Sequence, residues 1–306
     1  MKKLKTQVMR EVWESPGLFY KAPIVLAVVV VLLSLMSFYS LDQSNVSEWT
    51  LGASTDRWRL DSQSASSAQS AQVVEPIIEK IAYGRYLIFA LFGVVCLFNS
   101  MSYAFSALLA DRKDRSVLFF KSLPLSEWQV VLVKLGVSVF LIPLFYWGLS
   151  LVAVAAYTLV ADIFVFHALG VEFGYVVQQV PVIKTLLGGA LGVVMTALWA
   201  LPLYSLLLLF SAWSKKSPLG LLGAVLLVIW VLEKWFLGTH YLGDSLRLYF
   251  SGLEIVGQIS FVPVNPQEPL AHAWRILVSP GLYLGLIVSA ACVLLAVRLR
   301  NRRFEI

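Results

Sequence analysis

The chain has 306 residues, of which 59% are hydrophobic and 14% charged, with a net charge of +6. Soluble domains hold about a quarter charged residues, so this composition excludes a water-soluble globular protein. Lys and Arg gather beside apolar runs, which points to membrane headgroups and gives no argument for nucleic-acid binding.

The N-terminal segment, residues 1–19, reads as an interfacial helix. "LKTQVMREVW" sets Leu4, Val8, Met9, Val12 and Trp13 along one side, with Lys3, Gln7, Arg10, Glu11 and Glu14 mostly opposite. Such a helix lies in the headgroup plane, and "SPG" at 15–17 ends it by removing a donor and loosening the backbone. The first apolar run, Tyr20–Leu41, is followed by "SFYSLDQ", which lacks a small-residue cleavage site, so the span is expected to be uncleaved.

Residues 42–84 form a large connector. Its middle, "DSQSASSAQSAQ", is small and polar and predicts a flexible linker, whereas "VVEPIIEKIAYGRY" predicts a short helix running into the next span. Five further apolar runs follow: Tyr86–Ala110, Leu135–Ala161, Thr185–Ser214, Ser217–Leu232 and Pro280–Val297, the fifth span extending through Glu233 and Lys234 to Leu237. Runs near or above about 18 residues are long enough to cross a bilayer. The expectation is an all-α polytopic membrane protein, a single membrane domain over 1–306 with six transmembrane helices. Residues 238–279 make the second large connector, predicted as an amphipathic segment to Phe261 and then an extended Pro-rich piece.

Sixteen of the 24 Lys and Arg lie in the N-terminal flank, the second and fourth connectors and the C-terminal tail. By the positive-inside rule both termini are cytoplasmic, and the connectors 42–84 and 238–279 are extracytoplasmic.

Residues 111–134, "DRKDRSVLFFKSLPLSEWQVVLVK", join spans two and three. The helix of span two can continue to Leu123. Pro124 stops it, because the residue before proline is pushed out of helical geometry. Ser126 and Gln129 then have the spacing of a capping box, which starts a new helix through Trp128 into span three. The result is a cytoplasmic hairpin exposing Leu123, Leu125 and Trp128 beside basic residues. Apolar groups at such a corner call for a covering surface, either lipid headgroups or a groove on a soluble partner.

This segment resembles the permease family of type-2 ABC exporters, in which spans two and three are joined by a charged run, apolar positions, Leu-Pro, Ser and a Lys at the next span. The matching residues are Asp111, Asp114, "SLPLSEW" and Lys134; "DRS" stands where the family commonly has an acidic residue followed by Gly-Thr. The amphipathic N-terminal helix, six spans and long connector between spans five and six extend the resemblance over most of the chain. It implies an inner-membrane permease subunit, a homodimer partnered with a cytoplasmic ATP-binding subunit, and export of substrate. Arg112, Lys113, Arg115, Leu123, Pro124, Leu125 and Trp128 are then the residues that dock on that ATPase as a coupling helix. The chain holds no GxxxxGK[ST], so ATP and Mg belong to the partner, and no cofactor is expected here.

Polar residues inside spans are the candidates for a translocation path: Asn99, Ser100 and Ser102 in span two, and Thr196, Tyr204 and Ser205 in span four. Interhelical packing is their other reading. Gly188–Gly192 and Gly281–Gly285 have the spacing that permits close helix approach. His167, His240 and His272 are isolated, without metal-ligand spacing, and no nucleophile–base pair stands out, so no catalytic or metal site is expected. Cys96 and Cys292 read as packing residues. Two alternatives stand beside the permease: a membrane scaffold or anchoring subunit without transport, and a secondary carrier. The carrier is disfavoured because no ionisable residue lies mid-span.

Overall fold

The structure, a computed structural model, describes residues 2–40, 67–113, 126–169, 172–180, 182–214, 217–238, 240, 243–244, 247, 249 and 268–302. These residues form helices and contain no strand. In chain order they are α1 (Lys2–Glu14), α2 (Ala22–Ser40), α3 (Ser67–Lys113), α4 (Glu127–Gly136), α5 (Ile142–Leu169), α6 (Tyr175–Gln178), α7 (Val182–Trp213), α8 (Pro218–Leu232), α9 (Glu268–Val278) and α10 (Pro280–Arg302). Six helical stretches are long and apolar enough to cross a membrane: Gly17–Phe38, Ile77–Asp111, Glu127–His167, Thr185–Trp213, Pro218–Trp235 and Pro280–Asn301. The protein is a multi-pass α-helical membrane protein.

Two π-helical turns follow directly from the sequence. Gly17–Lys21 and Val137–Leu141 each end two residues before a proline, Pro23 and Pro143. A proline ring crowds the carbonyl four residues earlier and offers it no donor. Widening that turn to π geometry relieves the clash while the helix continues. A third π turn, Glu233–Leu237, carries the fifth span to Gly238, whose left-handed φ of 61° favours glycine and ends the helix.

The helix starts are equally local. Ser126 accepts the Gln129 N–H at 3.4 Å while the Gln129 side chain accepts the Ser126 N–H at 3.4 Å, the expected capping box. Ser217 caps α8 by accepting the Gly220 N–H at 3.2 Å, with Pro218 at the first helical position.

The second span differs from expectation at its start. The helix begins at Ser67, so the later half of "DSQSASSAQSAQ" is helical and "VVEPIIEKIAYGRY" lies inside one continuous 47-residue helix. Ser, Ala and Gln carry little penalty against a helix once the apolar run beyond them has nucleated it. In the second connector, Glu268–Val278 is a helix that the sequence reading did not name, and the Pro-rich piece expected before it, after Phe261, lies almost entirely outside the described residues. The amphipathic segment foreseen up to Phe261 lies mostly outside the described residues.

The chain divides into two compact units, one of residues 1–21, 93–146 and 183–306, the other of 22–92 and 147–182. The smaller unit has a core of Ile77, Ile81, Ala161, Val165 and Val176, with Phe38, Tyr157 and Phe164 packed against it. Asp162, fully buried, accepts the Gly174 N–H at 2.6 Å and the Val176 N–H at 2.8 Å, pinning the turn that follows α5. Gly84 brings α3 close to Tyr157: a Cβ there would stand 2.8 Å from the Tyr157 Cζ. Gly84→Ala is therefore expected to destabilise the protein by about 1–3 kcal/mol, read as a lower thermal midpoint in detergent. Adding Tyr157→Leu should recover part of the loss.

The larger unit is built on α3, α4, α7 and α10, whose fully buried side chains include Leu108, Val131, Leu207, Leu208 and Ala296. Phe19 is buried against the Tyr103 and Phe145 rings. Ser211 of α7 accepts the Leu108 and Leu109 N–H groups at 3.2 and 3.1 Å. None of the α8 side chains is buried within the chain.

Candidate functional site

Charged side chains are costly to bury unless each meets a partner of opposite sign. The larger unit nevertheless buries four of them together: Glu11 is 7% exposed, Asp111 5%, Lys134 2% and Arg300 6%. Each comes from a different helix, α1, α3, α4 and α10. Lys134 Nζ lies 2.9 Å from Glu11 Oε1 and 3.1 Å from Asp111 Oδ1. Arg300 Nη1 lies 3.1 Å from Asp111 Oδ2, and its Nε lies 2.6 Å from Glu127 Oε2 in the first turn of α4. Tyr103 donates its hydroxyl to Glu11 Oε2 at 2.6 Å.

The chemistry of each member suits its place. Lys134 is a point charge with three donors and spans two carboxylates of different helices. Arg300 uses its planar fork to hold Asp111, two residues before the end of α3, and Glu127, the first residue of α4. Three carboxylates face two cations, and the phenol of Tyr103 supplies the further donor. Arg300 Nη2 is buried and has no hydrogen-bond partner among the described residues.

The network corrects the expected polarity of the N-terminal helix. Glu11 and Val12 are both buried, while Met9 and Trp13 are exposed. The α1 helix thus faces the bundle with Glu11 and Val12 and keeps Met9 and Trp13 outward. Arg10 pairs with Glu14 one turn on.

Of the predicted docking residues, Trp128 lies on α4 and is 42% exposed. Arg112 and Lys113 are the last residues of α3, their side chains outside the described set. Arg115, Leu123, Pro124 and Leu125 lie outside the described residues. Asp111 and Lys134, which carry the family resemblance, are members of the network.

Of the path candidates, Asn99 bonds to another helix, whereas Ser100 and Ser205 make contacts within their own. Asn99 donates to the Tyr146 hydroxyl, Ser100 Oγ lies 4.0 Å from Cys96 Sγ one turn earlier, and Ser205 donates to the Pro202 carbonyl at 2.9 Å. Ser100, Tyr204 and Ser205 are buried, whereas Ser102 is exposed. Half-buried Thr196 donates to the Gly192 carbonyl at 2.8 Å within its own helix. A Cβ on Gly281 would lie 3.6 Å from Trp199, and one on Gly285 2.8 Å from Pro202, so this glycine pair packs against α7; Gly188 has no such neighbour among the described residues.

Comparison with protein-family models and with curated proteins finds no match. Among the described residues no group of His, Cys, Asp and Glu is arranged to hold a metal ion.

Glu11, Tyr103, Glu127 and Arg300 were not foreseen as site residues. In the sequence, Arg300 is one of several basic residues in a C-terminal tail, and it stands 189 positions from Asp111. Glu11 carries one weak signal: an acidic residue directly beside Val12 in a stripe otherwise read as polar.

Proposed function

We propose that this chain is the membrane-spanning subunit of a type-2 ABC exporter, working as a pair with a second copy and driven by a separate ATP-hydrolysing subunit. The supporting observation is the buried ion network at the root of the 111–134 hairpin. A hairpin that is pushed by a motor must transmit force to the spans instead of flexing. Arg300 joins the helix that enters the hairpin, through Asp111, to the helix that leaves it, through Glu127. Lys134 ties the same root to α1. A passive anchor has no need of so many desolvated charges, which are often replaceable by apolar residues without loss of stability.

In this reading both termini and the hairpin face the cytoplasm of a cell whose inner membrane holds the protein. Leu123, Pro124, Leu125 and Trp128 enter a cleft of the ATPase, guided by Arg112, Lys113 and Arg115. ATP and Mg are bound by that partner. Substrate crosses along the polar positions of spans two and four, once helices move to open a passage there.

The test is co-purification. Leu123→Asp, or joint reversal of Arg112, Lys113 and Arg115 to Glu, is expected to abolish recovery of the ATPase with the tagged permease while the permease itself stays folded in the membrane. Undiminished recovery and export in those variants would remove the docking assignment. Recovery of a complex that hydrolyses ATP but moves nothing in vesicles would favour an anchoring subunit.

A further inference from the structure

Arg85, at the start of span two, is a cation whose charge is not answered by a side chain. It lies on α3 four residues after Ile81 and three before Ile88, a spacing that puts all three on one face of a helix. Ile77, Ile81, Ile88 and Phe92 on that face are buried, so Arg85 takes an inward position of α3, and it is itself half-buried. Its Nη1 is buried and has no hydrogen-bond partner, and none of the ion pairs among the described residues includes it. Asp162, the buried carboxylate of the same unit, spends its two oxygens on the Gly174 and Val176 N–H groups. An arginine cannot shed its proton, and a buried charge is costly until an opposite charge meets it.

A second donor stands close by. A Cβ on Gly84 would run into the Tyr157 hydroxyl of α5, and Arg85 and that phenol are near enough to interact electrostatically. A guanidinium only donates, and a phenol donates as well, so the pair suits an oxyanion. The level of the site narrows which one. Tyr83 and Tyr86 are exposed on the same helix, their rings 6.1 Å apart, and exposed tyrosines of a span mark the membrane–water boundary. The charge-free run 86–110 that follows Arg85 covers about 37 Å as a helix, more than the hydrocarbon core of about 30 Å. Arg85 is therefore at headgroup level, where the abundant oxyanion is the lipid phosphate, and its fork matches a phosphate with two parallel bonds. An arginine that merely snorkels keeps its head in water; Arg85 has Nη1 shielded from it.

We propose that Arg85 and Tyr157 form a phosphate site between α3 and α5 at the membrane surface, occupied by the headgroup of a phospholipid. The phosphate takes the Arg85 fork and the Tyr157 hydroxyl, and it joins the two helices at the level where Gly84 brings them together. The site needs only that α3 crosses the membrane, and it is independent of any ATPase.

Native mass spectrometry of the full chain, stripped of lipid in detergent and titrated with phosphatidylglycerol, tests the site. The parent protein is expected to retain a phosphatidylglycerol under activation that strips loosely held lipid. Arg85→Gln is expected to weaken this binding about tenfold or more, the scale of a hydrogen bond to a charged group. Arg85→Lys should recover it in part, since an ammonium has no fork. Tyr157→Phe keeps the ring beside Gly84 and is expected to weaken binding about two- to tenfold; it reads the site independently where Arg85→Gln does not fold. Lys80→Gln removes an exposed cation from the same end of α3 and is expected to leave binding unchanged. Unchanged binding in folded Arg85→Gln overturns the site, and so does an equal loss in Lys80→Gln, which would make the attraction a general one of basic residues for anionic lipid. Digalactosyldiacylglycerol, neutral and without phosphate, is expected not to be retained; equal retention overturns the phosphate chemistry. Millimolar inorganic phosphate separates the two sources of that chemistry. The lipid is expected to stay bound in its presence, and displacement would give the site to free phosphate and overturn the lipid occupant. None of these readouts uses transport, so their failure is separate from a failure of the exporter reading.

Discussion

Lys134→Met is expected to cost the protein about 3–5 kcal/mol, the range for removing one partner of a buried ion pair. Methionine nearly fills the space of the lysine stem, so the loss is electrostatic. Glu11 and Asp111 would remain at 7% and 5% exposure without the ammonium that now sits between them. Water cannot rehydrate them without parting α1 from α4. Against a total stability of about 5–15 kcal/mol, the variant should unfold at a much lower temperature in detergent and should release α1 early to protease. Glu11→Gln is expected to recover a large part of the loss when combined with Lys134→Met, because one of the stranded charges is then gone. A double-mutant cycle gives the coupling directly. If Lys134→Met unfolds within about 1 kcal/mol of the parent protein, less than the usual cost of a stranded buried charge, the two carboxylates are not held by this lysine.

Arg300→Met is expected to cost about 3 kcal/mol, at the lower end of the same range, because the Glu127 side chain is 19% exposed and can regain water. Asp111 keeps Lys134 in this variant. What disappears is the connection between the end of α3 and the first turn of α4 through the C-terminal helix. In the exporter reading, the ATPase should still co-purify and hydrolyse ATP, whereas export per ATP should fall steeply. Arg300→Lys is expected to recover stability only in part, since a single ammonium cannot present two parallel donors in a fixed fork. Native export from a folded Arg300→Met complex would show that force does not travel through this root.

The membrane-crossing helices were legible because their signal is local and long. An apolar run long enough to cross a bilayer has few other stable fates. The capping box at Ser126 and Gln129 was legible for the same reason, since both partners lie within one turn. The extension of span five through Glu233 and Lys234 to Leu237 also agrees with its reading, as a π turn. Helix starts were less legible. The apolar pattern gave no sign that α3 would reach back to Ser67, because small polar residues fit helix and coil alike.

The buried site was much less legible. Asp111 and Lys134 stood out only through a resemblance. Glu11 read as part of a solvated face, and Arg300 as one more basic residue of a tail. Periodicity places a charge on a face of its own helix but cannot say which other helix will cover that face. Tyr249, whose hydroxyl donates to the Trp199 carbonyl at 2.9 Å, was hidden in the same way, inside a connector whose apolar spacing predicted only an amphipathic segment.

By itself, then, the sequence determined that this chain lives in a membrane, where its helices run and where several of them begin and end. Those outcomes depend on transfer of side chains out of water and on hydrogen bonds within one turn, both of which are properties of contiguous residues. It took the folded chain to bring Glu11, Asp111, Glu127, Lys134 and Arg300 together, and to set the Tyr249 hydroxyl on the Trp199 carbonyl. A buried charge or phenol is stable only beside its partner, and here the partners lie tens to nearly two hundred positions away along the chain.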